Sequence, residues 1–190
     1  MDTKSIMIVG VGGQGTLLAS RLLGNVLISR GYDVKVSEVH GMSQRGGSVV
    51  TYVKYGEEVL SPVIEKGEAD IIIAFELLEA ARYFPYLKKG GTIVVNSQEI
   101  DPMPVIIGAA EYPEELLNSL KGSSANVVSV DALSLALEAG SSKAVNVVLL
   151  GAAARFMSFG GDEWVSVINS TVPPKFLDIN QKAFGLGFAE

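Results

Sequence analysis

The sequence predicts an α/β fold in which a mostly parallel sheet is flanked by helices, with a helical C-terminal third. Short apolar runs alternate with segments of helical spacing up to Val130. A glycine-rich hexapeptide follows the first apolar run, and the chain after Asp131 has mostly helical spacing. At 190 residues the pattern fits one domain over residues 1–190, because single cores divide only beyond roughly 250 residues.

The N-terminal pattern predicts a strand–helix–strand unit followed by a third strand. Residues 5–9 (SIMIV) are continuously apolar, as in a strand buried on both faces. Residues 15–29 place apolar side chains on one helical stripe, and residues 33–39 and 49–55 alternate as strands do. We expect 49–55 to pair antiparallel, because too few residues precede it for a crossover helix.

The rest of the chain predicts further strands and then helices. Residues 70–75 (DIIIAF) and 92–96 (TIVVN) read as strands, with a helix over 76–88 and a glycine turn at 90–91 between them. The other expected elements are strands at 105–108 and 127–130, and helices at 114–120, 132–138, 144–157, 163–169 and 175–184, with N-caps at Asp131 and Asp162.

The composition excludes several kinds of chemistry. The chain has no Cys and one His, so it cannot form a disulfide, a thiolate nucleophile, a Cys-ligated zinc or iron–sulfur site, or a multi-histidine metal cage. Fifteen Lys and Arg against 21 Asp and Glu give a formal charge of −6, which does not favour nucleic acid. No apolar run approaches the ~20 residues of a membrane span, and the N-terminus lacks a signal-peptide pattern. We therefore expect a cytoplasmic protein with no metal site and no membrane contact.

The glycine-rich hexapeptide at residues 10–15 fits G-x-G-x-x-G directly after a strand and at the start of a helix, which is the context of a Rossmann-like turn. Free backbone N–H groups at a helix N-terminus attract phosphate. We predict an anion site at Gly12, Gly13, Gln14 and Gly15. Glu38 stands 23 residues after Gly15, where a dinucleotide site has its ribose-binding acid. Alternatively, the glycines only let the helix and sheet pack closely.

The segment after the second strand is rich in glycine and polar groups. At the carboxyl end of a strand such a loop lies where open α/β sheets bind ligands or partners. The predicted loop facing a partner or active site consists of Glu38, His40, Gly41, Met42, Ser43, Gln44, Arg45, Gly46 and Gly47. Arg45 is the best single candidate, because a guanidinium binds a carboxylate or phosphate through two hydrogen bonds. A solvated loop and a structural His40 are the alternatives, and no nucleophile–base pair predicts a catalytic residue.

These motifs together resemble a known family. GVGGQG at 10–15, EVHGMSQRGGSV at 38–49 and Ser61-Pro62 before Gly67-x-Ala69-Asp70 are similar to the gamma-type component of the 2-oxoacid:ferredoxin oxidoreductases. Within that family the chain most resembles the separate beta subunit of the indolepyruvate type. Further matches are Glu76 to Arg82, Asn96, Asn146, Leu150-Gly151-Ala152 and the ending from Asn180 to Gly187, so the resemblance covers nearly the whole chain.

The resemblance implies a subunit of an enzyme that oxidatively decarboxylates 2-oxoacids, here aryl pyruvates such as indolepyruvate, to acyl-CoA. It implies that thiamine diphosphate, Mg and iron–sulfur clusters lie on a large alpha subunit, and that this chain binds none of them and is inactive alone. Ferredoxin, CoA and the 2-oxoacid would then be indirect partners. Two alternatives remain: a stand-alone NAD-dependent oxidoreductase, and an assembly module with no role in catalysis.

Overall fold

A computed structural model describes residues 3–40 and 47–190. Its centre is a six-stranded sheet of order β2-β3-β1-β4-β5-β6. The strands are β1 (Lys4–Val11), β2 (Asp33–His40), β3 (Ser48–Gly56), β4 (Ala69–Ala74), β5 (Leu87–Asn96) and β6 (Asn126–Val130). β1, β4, β5 and β6 run parallel, whereas β3 pairs antiparallel with both β1 and β2. The predicted α/β class, the mostly parallel sheet and the antiparallel third strand are confirmed.

The helices lie on both faces of this sheet. They are α1 (Thr16–Ser29), α2 (Leu77–Tyr83), α3 (Met103–Ile106), α4 (Leu116–Lys121), α5 (Ala132–Ala139), α6 (Val145–Ala154), α7 (Gly161–Thr171) and α8 (Leu177–Ala189). Three 3₁₀ turns lie at Phe84–Tyr86, Ser142–Ala144 and Pro174–Phe176. The helical C-terminal third predicted from sequence is confirmed.

The strands of the parallel part are buried on both faces, which explains their unbroken apolar runs. In β1, Ile6 and Ile8 pack with α1 and with α5 to α8, the larger of two hydrophobic clusters. Met7 and Val9 point to the other face and pack with α2, α4 and Ile64. The larger cluster therefore covers one face of the sheet, and the smaller cluster covers the other.

Two glycines bring α6 and α8 into backbone contact. A Cβ at Gly187 would lie 3.0 Å from the Cα of Val148, and a Cβ at Gly151 would lie 3.0 Å from the N of Phe188. α6 is buried at nearly every position, so other elements pack around it on all sides. α8 can approach the α6 backbone this closely only because Gly151 and Gly187 have no side chains. Buried residues of both helices belong to the larger hydrophobic cluster.

Four local predictions were wrong. The helix expected over 76–88 ends at Tyr83, because Pro85 follows within two residues and forces a 3₁₀ turn. The expected turn at 90–91 is an irregularity inside β5, where Gly90 has φ +75 and the register with β4 shifts. Residues 105–108 belong to the short α3 and its end rather than to a strand. Asp131 caps α5 as predicted, but the N-cap of α7 is Gly160 rather than Asp162, with the Glu163 carboxylate accepting from the Gly160 N–H.

Candidate functional site at the carboxyl edge of the sheet

The glycine turn joins the end of β1 to the start of α1. Gly13 and Gly15 have φ of +97 and +83, which side chains rarely adopt. A Cβ at Gly10 would lie 2.9 Å from that of Phe75, and one at Gly15 would lie 2.7 Å from the Asn146 Nδ2. A Cβ at Gly13 would meet nothing within 4 Å. Close packing thus accounts for Gly10 and Gly15, whereas Gly13 borders open space.

The side chain of Gln14 makes two hydrogen bonds that hold the turn in place. Its Oε1 accepts from the Val11 N–H at 2.7 Å, and its Nε2 donates to the Phe75 carbonyl at 3.0 Å. Asn146 adds a second brace, since its Nδ2 donates to the Gly15 carbonyl at 3.0 Å. Gln14 was predicted as part of an anion site, but its side-chain amide is used in joining the ends of β1 and β4.

A cavity of about 420 Å³ opens beside this turn. Gly13 and Gly15 line one wall, Gln98 after β5 lines another, and Ser142 and Lys143 line a third. Within residues 3–40 and 47–190, the N–H groups of Gly13 and Gly15 find no acceptor. The N-terminus of α1, with its partial positive charge, and the Lys143 ammonium both favour an anion here. The geometry accommodates the predicted anion at the backbone of the turn.

The predicted loop meets the glycine turn where the structure describes it. The Gly12 N–H donates to the Gly47 carbonyl at 3.0 Å, and Val11 pairs with Ser48 in the β1–β3 ladder. The two motifs singled out in the sequence are therefore neighbours. Gly41, Met42, Ser43, Gln44, Arg45 and Gly46 lie outside the described residues, as does the side chain of His40.

Glu38 lies farther from the glycine turn than a ribose-binding acid would. In a dinucleotide fold the acid-bearing strand is the neighbour of β1. Here β3 occupies that place, so β2 is two strand spacings from β1, about 10 Å. Glu38 instead accepts from the Thr51 hydroxyl at 3.3 Å. This topology argues against the NAD-binding alternative.

Two buried carboxylates also lie at this edge, and sequence reasoning did not predict them as site residues. Glu76 is 1% exposed and caps α2, accepting at Oε2 from the Glu79 N–H at 2.9 Å. Its Oε1 accepts from the Ile100 N–H at 3.1 Å and from the Tyr112 hydroxyl at 2.5 Å. A glutamate directly after a buried strand, at a helix N-cap, was the available signal. Glu76 thereby ties the segment after β5 to the end of β4.

Glu79 is the second carboxylate, and it contacts Ser48, the first residue of β3. It is 4% exposed, accepts from the Ser48 hydroxyl at 2.5 Å and pairs with the Arg82 Nε at 3.1 Å. Burial raises the pKa of Glu79, an effect that the Ser48 hydrogen bond and the Arg82 charge oppose. Ser48 directly follows Gly47, so Glu79 fixes the chain where the loop rejoins the sheet.

The described residues 3–40 and 47–190 contain no cluster of three or more His, Cys, Asp or Glu side chains that could hold a metal ion. No helix in those residues is long and apolar enough to cross a membrane. Among the described residues, this edge offers the backbone N–H groups of the glycine turn, the Lys143 ammonium, the Arg82 guanidinium and the buried carboxylates of Glu76 and Glu79.

Comparison with known proteins places the chain in a family. The family model described as pyruvate ferredoxin/flavodoxin oxidoreductase matches residues 5–190. The chain belongs to this family. The indolepyruvate oxidoreductase subunit IorB of Pyrococcus horikoshii is 45% identical over 192 residues, covering 98% of this chain and 95% of that subunit.

Two solved structures share the fold. The pyruvate oxidoreductase subunit PORC of Thermotoga maritima matches with a TM-score of 0.78 at 20% identity, covering 100% of this chain and 97% of that one. The 2-oxoglutarate:ferredoxin oxidoreductase of Magnetococcus marinus, solved with 2-oxoglutarate, coenzyme A and succinyl-CoA bound, matches with a TM-score of 0.75 at 19% identity. This chain corresponds to 31% of that longer chain, so the same fold occurs both as a separate subunit and within a larger one.

Proposed function

We propose that this chain is the small subunit of a 2-oxoacid:ferredoxin oxidoreductase that acts on aryl pyruvates such as indolepyruvate. The observation that carries the proposal is 45% identity to an indolepyruvate oxidoreductase subunit over 98% of the chain. The family membership over residues 5–190 supports the reaction class, and the near-complete coverage of both chains supports the same division into subunits.

The redox cofactors belong to the large subunit in this proposal. The chain has no cysteine, so the iron–sulfur clusters of a ferredoxin-linked enzyme must be held elsewhere. Thiamine diphosphate and Mg are assigned to the same partner, as the resemblance implies, and both subunits work in the cytoplasm. The small subunit alone is then inactive.

The carboxyl edge of the sheet is the side proposed to face the large subunit. The glycine turn, Gly47 and the buried carboxylates lie there, joined by the Gly12–Gly47 and Ser48–Glu79 hydrogen bonds. Ligands and partners of open α/β sheets bind at this edge. Residues 40–47 supply the contacts, and Glu79 holds the strand that follows them.

The cavity beside the glycine turn is proposed to take a phosphate group of CoA. Of the three reactants, CoA alone carries phosphates, and it is bound in the Magnetococcus marinus enzyme. The Gly13 and Gly15 backbone and Lys143 offer what a phosphate needs, namely N–H donors and a positive charge. CoA would in this way be presented to chemistry carried out on the partner.

The decisive experiment is reconstitution. Three samples are prepared: the small subunit alone, its complex with the large subunit, and the same complex with Lys143→Ala in the small subunit. Ferredoxin reduction that depends on the oxoacid is then measured in each sample at several concentrations of CoA. We expect turnover of indolepyruvate by the complex and none by the small subunit alone. Lys143→Ala should raise the KM for CoA several-fold while leaving the KM for the oxoacid unchanged.

Two results would contradict these proposals separately. Turnover by the small subunit when it is completely free of the large subunit would overturn the proposal that the small subunit is inactive alone. An unchanged KM for CoA in the Lys143→Ala complex would remove the CoA assignment but leave the reaction class intact.

A further inference from the structure

A second cavity, of about 390 Å³, lies at the opposite, amino edge of the parallel strands. Its walls come from the start of β1, the start of β4, the irregular part of β5 and the chain just after α6. It shares no residue with the cavity at the glycine turn. The two cavities are therefore separated by the length of the strands.

This second cavity is positively charged although the chain as a whole is acidic. Lys4, Lys88 and Lys89 line it, and Asp70 is the one carboxylate among its lining residues. Among the described lining residues, the three lysines outnumber the one carboxylate by two, against a net charge of −6 for the whole chain; Glu68, outside the lining, also interacts with Lys88. The carbonyl end of α6 lies nearby, but its partial charge of about −0.5 is smaller than this excess.

Asp70 organises these amino groups. Its Oδ1 accepts from Lys4 at 3.3 Å and from Lys88 at 3.0 Å, and its Oδ2 accepts from the Ser5 N–H at 2.8 Å. Two ammonium groups are thus held on one carboxylate oxygen, an arrangement that leaves one positive charge uncompensated. Lys89 makes no ion pair or side-chain hydrogen bond with residues 3–40 or 47–190.

The uncharged lining residues include a hydrogen-bond donor, and they leave space for a ligand. Burial, and to a smaller degree the charge of Asp70, raises the pKa of Tyr55 to about 12, so its hydroxyl keeps its proton at neutral pH. Gly90 bulges out of the ladder with φ +75, and a Cβ there would meet nothing within 4 Å. The cavity also reaches Phe156, which is 38% exposed and offers an aromatic surface.

We propose that this cavity is a second ligand site, which binds a small phosphate-bearing molecule with at least two negative charges. The ammonium groups of Lys4, Lys88 and Lys89 hold its phosphates, and the bulge at Gly90 lets them approach the backbone. A cavity of this volume accommodates a nucleotide-sized ligand. A concave site is better suited to a small molecule than to an acidic partner surface, which would need a flat, extended contact.

The test is a calorimetric titration of the full chain with pyrophosphate, ATP and CoA, in low salt and again in 0.5 M salt. We expect pyrophosphate and ATP to bind with Kd near or below about 1 mM in low salt, and more weakly as salt screens the lysines. Lys89→Glu, and separately the pair Lys88→Ala with Lys89→Ala, should raise that Kd at least about tenfold. Lys121→Ala, an exposed lysine on α4, should leave the Kd unchanged.

The controls decide between this site and its alternatives. Equal weakening by Lys121→Ala would show attraction to surface charge in general and overturn the proposal, as would unchanged binding in both pocket variants. Equally tight binding of a hexaglutamate peptide would assign the surface to an acidic protein partner and also overturn it. If CoA binds, Lys143→Ala and Lys89→Glu show which cavity it occupies, because a ligand of this second site loses affinity only with Lys89→Glu. Thermal melts of each variant confirm that Lys89→Glu, at an exposed side chain, leaves the fold intact.

Discussion

At the scale of single residues, the glycines of the turn differ in their surroundings. Gly15 combines a left-handed backbone with a tight contact to Asn146, which is a packing requirement. Gly13 has the same backbone conformation but borders the cavity. The motif therefore predicted the position of the turn, whereas the packing requirement at Gly15 and the open space at Gly13 are visible only in the contacts of each glycine. The anion site stays a prediction.

Gly15→Ala should lower the free energy of unfolding by about 2 to 3 kcal/mol. Roughly 1–2 kcal/mol comes from a side chain at φ +83, and about 1 kcal/mol from the displaced Asn146 hydrogen bond. The matched control is Gly161→Ala, where a Cβ meets nothing within 4 Å and the backbone is helical, so stability should change by less than about 1 kcal/mol. Urea unfolding of both variants measures the difference, and equal stabilities would contradict the steric argument.

The Glu79 carboxyl should make stability depend on pH in a defined direction. Because its pKa is raised in the folded state, the stability it contributes is present below the ordinary value of 4.5 and is lost as the pH rises through the raised value. Glu79→Gln should therefore gain stability relative to the wild type as the pH rises from about 4.5, and the gain should level off above the raised pKa.

Ser48→Ala tests the cause of that dependence. The Ser48 hydroxyl lowers the pKa of Glu79, so its removal should extend the pH window upward. Thermal melts of the three proteins between pH 4 and 8 give the comparison. A stability difference between Glu79→Gln and wild type that does not vary with pH would show that burial does not perturb this carboxyl.

At the scale of elements, the contact of α6 with α8 depends on two positions that have no side chain. Gly187→Ala would place a methyl group 3.0 Å from the Cα of Val148, so the helices must separate. We expect a loss of about 3 kcal/mol or more in the free energy of unfolding. Gly185→Ala, in the same helix but facing open space, should instead stabilise the chain by up to about 1 kcal/mol. Opposite signs in chemical denaturation are the expected result, and two losses of similar size would count against it.

The elements show where local pattern suffices and where it does not. Strands with alternating or continuous apolar runs were predicted within a few residues, because burial on a sheet leaves that signature. Residues 105–108 are also mostly apolar, but they form the last turn of α3 and the residues just after it. The irregularity at Gly90 resembles a turn locally, and its place inside β5 is set by pairing with β4.

At the scale of the whole molecule, the sequence singled out the glycine turn and residues 38–47 and missed the buried carboxylates. The glycine turn and residues 38–47 stand out because glycine and clustered polar residues are unusual beside buried strands. Glu76 and Glu79 look like ordinary helix residues in sequence. Glu76 accepts from the distant Ile100 N–H and Tyr112 hydroxyl, and Glu79 accepts from the distant Ser48 hydroxyl. Long-range contacts of this kind leave no local signature.

The prediction about binding to the large subunit concerns Arg45. If its guanidinium binds an anion across the interface, Arg45→Ala should weaken affinity for the large subunit about thirtyfold or more, which corresponds to at least about 2 kcal/mol. Arg45→Lys should restore part of the affinity, because an ammonium cannot form the paired hydrogen bonds. Arg155→Ala, at an exposed arginine near the amino edge, is the matched control and should bind normally. A binding titration decides, and unchanged affinity for Arg45→Ala would rule out the proposed contact.

The antiparallel pairing of β2 with β3 separates the stability of the sheet from the sequence that connects the two strands. Their ladder runs from Asp33 opposite Gly56 to His40 opposite Val49, so eight residue pairs hold the register. Doubling the length of a flexible connection costs only about 0.6 kcal/mol in closure entropy. Lengthening the chain between β2 and β3 should therefore leave this edge of the sheet intact.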